Sequence, residues 1–220
     1  MTQNASVAFI LLAGGSATRM GGSIPKPFIS LKGKPVINYS LDLFEQVPHL
    51  TEIVVVCAEA YHPYVQHDVT FALPGKRRQD SVLNGIKALK TKPQLIAVHD
   101  AARPLIDLPL LERIIAAATL SSAALAAVPV KSTIKFASTS GHVEQTPDRN
   151  LLWEAQTPQI FTLDLLLKAF HDPINTQFDA SDDAALVERI GHRPTLVMGS
   201  YSNIKLTTPE DIPLAESFLI

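Results

Sequence analysis

The sequence has one cysteine, Cys57, so a disulfide framework within the chain is excluded. Cys57 closes the apolar run Ile53-Val54-Val55-Val56 and reads as a small core residue, not a nucleophile. Basic charge is not in excess: 19 Lys and Arg stand against 21 Asp and Glu, a net charge of −2. That balance excludes a general nucleic-acid or membrane-surface binder. The one tryptophan, Trp153, reads as a packing anchor, not a base-stacking platform. Long hydrophobic runs are missing too. The uncharged stretch Ile114 to Val130 is interrupted by Thr119, Ser121 and Ser122 and contains Pro129, whereas a membrane span needs roughly 20 predominantly apolar residues. Met1 to Ser6 is short and polar with no secretory signal, so a cytoplasmic protein is expected. The seven histidines show no metal-ligand spacing with Cys or acids. No Ser/His/Asp or Cys/His arrangement points to covalent catalysis. With no repeats, low-complexity tract or linker, the 220 residues read as one domain, 1–220.

What is present is alternation. Apolar runs suited to strands, Val7–Leu12, Ile53–Cys57, Leu95–Val98, Ala123–Val128 and Thr195–Met198, alternate with helix-like segments at Val36–Gln46, Gln79–Leu89 and Pro109–Leu120. Three more helices are expected at Thr162–Phe170, at Asp182–Ile190 with Ser181 as N-cap, and at Pro209–Phe218. This pattern predicts an α/β fold with a mostly parallel twisted sheet and helices on both faces. Ligands in such sheets bind outside the carboxyl ends of the strands. One segment departs from the pattern. Residues 131–150 read as a polar hairpin, Ser132–Ala137 and His142–Thr146 around a turn at Ser138–Gly141. It is either a solvated surface hairpin or an arm protruding toward a second subunit.

The first strand runs into Leu11-Leu12-Ala13-Gly14-Gly15-Ser16-Ala17-Thr18-Arg19-Met20, followed by Pro25-Lys26-Pro27. Ala17 stands where the second Gly of G-x-G-x-x-G would be, and there is no Walker A lysine, so neither standard nucleotide fingerprint is present. A Gly-Gly pair alone also suits an ordinary βα turn. Together with Arg19 and Lys26 it suits a polyphosphate, with backbone amides and two cations as the cradle.

His99-Asp100-Ala101-Ala102-Arg103-Pro104 follows a later strand. Asp100 there suits Mg²⁺ held by one carboxylate plus substrate phosphates, and Arg103 an anionic substrate group; the alternative is a turn-capping Asp100 paired with Arg103. His99 is read as a structural hydrogen-bonding residue. Lys205, in Asn203-Ile204-Lys205-Leu206-Thr207, is either a solvated surface lysine or a phosphate contact. These ingredients suit direct attack of a substrate phosphate on a nucleotide α-phosphorus with pyrophosphate leaving. That chemistry needs positioning and charge neutralisation more than a protein nucleophile.

The ordered segments LLAGGSATRM, IPKPF, QDSVLNGI, VHDAARPLI, DRNLLWEAQTPQIF, SDDAALVE and NIKLTTPEDI run nearly end to end. On them the chain resembles the 2-C-methyl-D-erythritol 4-phosphate cytidylyltransferase family of the non-mevalonate isoprenoid pathway. The resemblance implies a Rossmann-like nucleotidyltransferase fold, CTP and a polyol phosphate as substrates, Mg²⁺ or another divalent cation, and a homodimer joined through the 131–150 arm. It also implies roles. Arg19, Lys26 and Lys205 would be catalytic, and Ala13, Gly14 and Gly15 would line the triphosphate turn. Gly75 and Ser81 would contact the cytosine. Asp100 would hold metal and substrate, and Arg103 and Ser181 the acceptor, with Arg149 and Thr157 arriving from the neighbouring subunit. Departures are Ala17, Lys76 in place of a common acid, and Ser181 where Thr is frequent. A ribitol 5-phosphate cytidylyltransferase shares the same motifs and stays open. So does a non-catalytic CTP-binding regulatory protein. A nicotinamide-dependent dehydrogenase is disfavoured by Ala17.

Overall fold

The computed structural model describes residues 5–15, 24–172, 175 and 177–219. Along the chain the strands are β1 (Val7–Leu12), β2 (Ser30–Leu31), β3 (Lys34–Pro35), β4 (Leu50–Val56), β5 (Thr70–Ala72), β6 (Leu95–Asp100), β7 (Ala123–Pro129), β8 (Phe136–Ala137), β9 (Val143–Gln145), β10 (Trp153–Thr162) and β11 (Thr195–Met198). The helices are α1 (Val36–Phe44), α2 (Arg78–Ala88), α3 (Leu108–Ser121), α4 (Leu163–His171), α5 (Asp183–Arg189) and α6 (Asp211–Phe218).

Seven strands form one sheet in the order β11-β7-β10-β6-β1-β4-β5. Strand β1 is central and pairs in parallel with β4 on one side and β6 on the other. Its continuous apolar run is what burial on both faces demands. Val7, Phe9 and Leu11 point into a core shared with α1 and α3, including Ile37, Phe44, Leu110 and Ile114. Ala8 and Ile10 point into the opposite core, with Val82 of α2, Leu166 of α4 and Leu186 of α5. The fold is therefore α/β, helices on both faces of a mostly parallel sheet, as the alternation predicts.

The exception to parallel pairing is β10, antiparallel to both β6 and β7. The sequence reading had no strand there, because Pro158 breaks its pattern. The register shifts between Ala155 and Gln159, so Pro158 falls in an irregularity where its missing N–H costs no ladder bond. The helix at 183–189 is capped one residue later than expected: Asp182, not Ser181, accepts from the Ala185 amide at 3.0 Å. The last helix begins at Asp211, whose carboxylate accepts from the Thr207 and Thr208 amides.

The 131–150 segment does form a hairpin, shorter than expected. Strands β8 and β9 pair around a turn closed by Gly141 N–H donating to the Ser138 carbonyl. Phe136 and Val143 are 57 % and 61 % exposed. Trp153 is also exposed, so it is not the interior packing anchor its residue type suggests.

Candidate active site

Register assembles the site. Leu12 of β1 is level with Val56 of β4 and with Asp100 of β6. The residues that follow these three strands therefore emerge at one end of the sheet, where the order of crossovers changes direction. A cavity of about 550 Å³ opens there, bordered by Gly14 and Gly15, Lys26, the Gly75–Arg78 turn with Ser81, Asp100 and Lys205. Six of the residues singled out from the sequence as nucleotide or catalytic groups, Gly14, Gly15, Lys26, Gly75, Ser81 and Lys205, thus share one cavity with the acid. Arg19 and Ala17 lie outside the described residues.

Each wall has a local cause. A Cβ on Gly14 would stand 2.7 Å from Pro74 Cβ, so the first turn must be glycine to close against the Pro74–Gly75 turn. Gly75 is glycine for a similar reason: a Cβ would meet Asp80 Cβ at 2.4 Å. Ser81 Oγ accepts from the Gly75 amide at 2.9 Å, and at the start of α2 the Asp80 carboxylate accepts from the Arg77 backbone amide at 3.1 Å and from the Arg77 guanidinium. Ala13 does not border the cavity as expected. Its side chain is buried and its amide continues the sheet by donating to the Val56 carbonyl at 2.9 Å.

Asp100 is the focus of charge. Lys205 Nζ lies 2.6 Å from Oδ2, Arg78 Nη2 3.5 Å from Oδ1 and Arg103 Nε 4.0 Å from Oδ2. Burial alone would push this carboxyl up; Arg78 and Lys205 overcome it and hold it well below the usual carboxylate range. Lys205 is therefore no solvated stray, and Asp100 is no simple cap paired with Arg103. Lys26 Nζ donates to the Thr207 carbonyl at 2.8 Å, which brings it alongside the loop carrying Lys205.

A buried relay supports Asp100. Its amide donates to Thr157 Oγ1 at 3.0 Å, and Thr157 Oγ1 lies 3.1 Å from His99 Nδ1. His99 Nε2 is 3.1 Å from the Arg103 carbonyl. The carbonyl accepts only, so Nε2 carries the proton and Nδ1 accepts from the threonine hydroxyl. Burial drives the His99 pKa down to about 4, keeping the ring neutral. His99 is thus structural, as read from the sequence. Thr157 is buried, and its hydroxyl is engaged by His99 and Asp100 of its own chain. Arg149 is exposed at the root of the arm, donating to the Lys131 carbonyl, and does not border the cavity. Ser181 is exposed beside the start of α5.

The sequence reading missed Arg78, Asn203 and Gln156. Arg78 borders the cavity and bonds the fully buried Asp183 at 2.6 Å. Asn203 donates to the Thr157 carbonyl and its own carbonyl accepts from Arg103 Nη1 at 2.7 Å. Gln156 donates to the Ser200 carbonyl. A signal for Arg78 existed, since it opens a helix three residues past Gly75; buried amides such as Asn203 leave none. Cys57 is buried, with its thiol pushed up to about 11, so it is no nucleophile. Among the described residues no group of three His, Cys, Asp or Glu side chains forms a metal cluster, and no helix is long and apolar enough to cross a membrane.

The model of the IspD family, 2-C-methyl-D-erythritol 4-phosphate cytidylyltransferase, matches residues 7–220. The chain belongs to this family. Among its relatives of that name, the protein of Caldanaerobacter subterraneus subsp. tengcongensis is 40 % identical over 97 % of this chain and 99 % of its own length. That of Symbiobacterium thermophilum is 43 % identical over 97 % and 92 %. The crystal structure of 4-diphosphocytidyl-2C-methyl-D-erythritol synthase from Anaerococcus prevotii superposes with a TM-score of 0.86 at 28 % identity, covering 99 % of this chain and 97 % of that one. The Francisella tularensis 2-C-methyl-D-erythritol 4-phosphate cytidylyltransferase gives 0.84 at 29 %, covering 97 % and 100 %. The fold is thus the Rossmann-like one of these cytidylyltransferases, and the chain is an enzyme of the nucleotidyltransferase kind.

Proposed function

We propose that Lys26, Asp100 and Lys205 form the reacting wall of a site that transfers CMP from CTP to 2-C-methyl-D-erythritol 4-phosphate. Pyrophosphate leaves and 4-diphosphocytidyl-2-C-methyl-D-erythritol, a precursor in the non-mevalonate isoprenoid route, is formed. The observation that carries the reading is the ring of cations around one buried carboxylate, at the mouth of a cavity bounded by Gly14 and Gly15.

A phosphate oxygen of the acceptor attacks the α-phosphorus, and the bond to the bridging oxygen of pyrophosphate breaks. Charge grows on the equatorial oxygens and on the leaving group, so fixed cations there are worth most. Lys26 faces the triphosphate, and the same role is assigned to Arg19 from its place in the sequence. Lys205 and Arg103 orient the acceptor phosphate, and Ser181 the polyol. Gly75 and Ser81 shape the base pocket. Asp100 is the carboxylate, among the described residues, that borders this cavity. One ionised carboxylate plus substrate phosphates is a donor set that Mg²⁺ accepts. Bound there, the metal would neutralise phosphate charge.

The active form is proposed as a homodimer. The arm exposes Phe136 and Val143, and Leu151 and Trp153 beyond it are 79 % and 37 % exposed. Trp153 and Ala155 are in register with Pro129 and Ala127, and Leu196 and Met198 with Leu125 and Ala127, so these side chains share one sheet face. Exposed Leu196 and Met198 extend the apolar strip. Arg149 at the arm's root would serve the neighbouring subunit's site. The cytoplasm is the proposed location, a compartment supplied with CTP.

The test is pyrophosphate release from CTP with each acceptor. Release with 2-C-methyl-D-erythritol 4-phosphate and little with ribitol 5-phosphate is expected, and equal rates would sink the acceptor assignment. Lys26→Ala should lower kcat by about a hundredfold or more.

A further inference from the structure

Three consecutive residues at the start of α2 reach across to one loop. Arg77 donates from Nη1 to the Phe178 carbonyl at 3.2 Å, Gln79 Oε1 accepts from the Ala180 amide at 2.8 Å, and Arg78 Nη1 meets Asp183 Oδ2 at 2.6 Å. That loop carries Ser181 and runs into α5. The first turn of α2 also holds the base pocket, because Ser81 Oγ accepts from the Gly75 amide. One end of one helix therefore touches both halves of the site.

Arg78 has the most demanding place in this clasp. Its guanidinium borders the cavity, with Nη2 3.5 Å from Asp100 Oδ1, while Nη1 holds Asp183, whose side chain is completely buried. Asp183 Oδ1 is buried without a hydrogen-bond partner, so Arg78 is the group that compensates this carboxylate among the described residues. Asp182, beside it, is engaged by Gln159 Nε2 and the Ala185 amide. A planar guanidinium presents donors in two fixed directions and can span two carboxylates; an ammonium is a point charge and cannot hold both at set angles.

We propose that Arg78 is a positioning residue for the acceptor: by bridging Asp100 at the end of β6 and Asp183 at the start of α5, it sets the distance between Asp100 and the Ser181 loop. The inference rests on the reading that Asp100 and Ser181 serve the polyol phosphate. The Gly75–Ser81 bond that shapes the nucleotide half uses none of the atoms of this bridge, so the effect of losing the bridge falls mainly on the acceptor.

The experiment is steady-state kinetics on Arg78→Lys, Asp183→Asn and Ser181→Ala, varying CTP and 2-C-methyl-D-erythritol 4-phosphate separately, with thermal midpoints recorded. Arg78→Lys and Asp183→Asn should raise KM for the acceptor about tenfold or more and leave KM for CTP within about threefold. The pair Arg78→Met with Asp183→Leu removes both charges without stranding either, so it should fold yet keep the raised acceptor KM. The inference is overturned if the acceptor KM stays within about twofold of the parent in Arg78→Lys, if both KM values rise equally, or if the double variant regains the parental value. A raised acceptor KM in Ser181→Ala beside an unchanged one in Arg78→Lys overturns the inference alone. An unchanged acceptor KM in Ser181→Ala overturns the site reading and the inference together.

Discussion

Thr157 and His99 show how a single hydroxyl organises the chemistry. Thr157 accepts from the Asp100 amide and donates to His99 Nδ1, and both partners are buried. Thr157→Val keeps the shape but strands both groups, at a cost of roughly 1–3 kcal/mol for each. A lower denaturant midpoint is expected for Thr157→Val, with Thr157→Ser close to the parent. His99 adds a pH dependence. Its folded pKa is depressed from 6.5 to about 4, so the unfolded chain binds the proton more readily. The stability it contributes is present above about pH 6.5 and is lost as pH falls toward 4, on the order of 3 kcal/mol in all. NMR titration of the ring checks this: a neutral Nε2–H tautomer should persist below pH 5, and a midpoint near 6.5 would contradict it. The chemical types of Asp100, Lys26 and Lys205 could be picked out from residue order. The relay beneath them could not, because Thr157 lies 57 residues from Asp100 and only the pairing of β10 with β6 joins them.

At the scale of elements, β1, β6 and β11 were legible to within two residues, since long apolar runs admit few other readings. Caps were less so. A serine before two aspartates reads as an N-cap, yet Asp182 takes that place because Gln159 of β10 holds its other oxygen and also accepts from the Asp183 and Ala184 amides. Stability should follow the structure, not the residue type. Asp182→Ala is expected to cost about 1 kcal/mol or more and Ser181→Ala well under that, measured by chemical denaturation. Strand β10 escaped notice because its pattern is broken at Pro158. Its antiparallel pairing is supplied by two neighbours distant in sequence, β6 and β7.

For the whole molecule, the exposed Phe136 and Val143 of the arm and the exposed Leu196 and Met198 of β11 are where the proposed dimer would find its contact. A double change, Phe136→Asp with Val143→Asp, touches no core residue, and both side chains are exposed. Under the proposed dimer it should give a monomer in light scattering while leaving the far-UV spectrum unchanged, and acceptor turnover should fall with it because Arg149 would no longer reach a second site. An unaltered mass would refute the arm as the dimer contact. Ligand linkage supplies another expectation. CTP at about one hundred times its dissociation constant should stabilise the chain by about 2.7 kcal/mol, read as a raised thermal midpoint.

By itself the sequence determined the alternating α/β architecture, the glycine turn after the first strand, and the types of charged residue available to the site. These depend on local periodicity and on residue chemistry, which a linear string carries in full. Only the tertiary structure decided which of those charges meet. Asp100 and Lys205 are 105 residues apart, as are Arg78 and Asp183. Their contacts follow from strand register and from helix ends brought to one edge of the sheet. Burial then acts on the assembled groups: it keeps His99 neutral, and with Arg78 and Lys205 close by it leaves Asp100 ionised. Those long-range electrostatics belong to the fold, because in an unfolded chain the same residues stand apart in water.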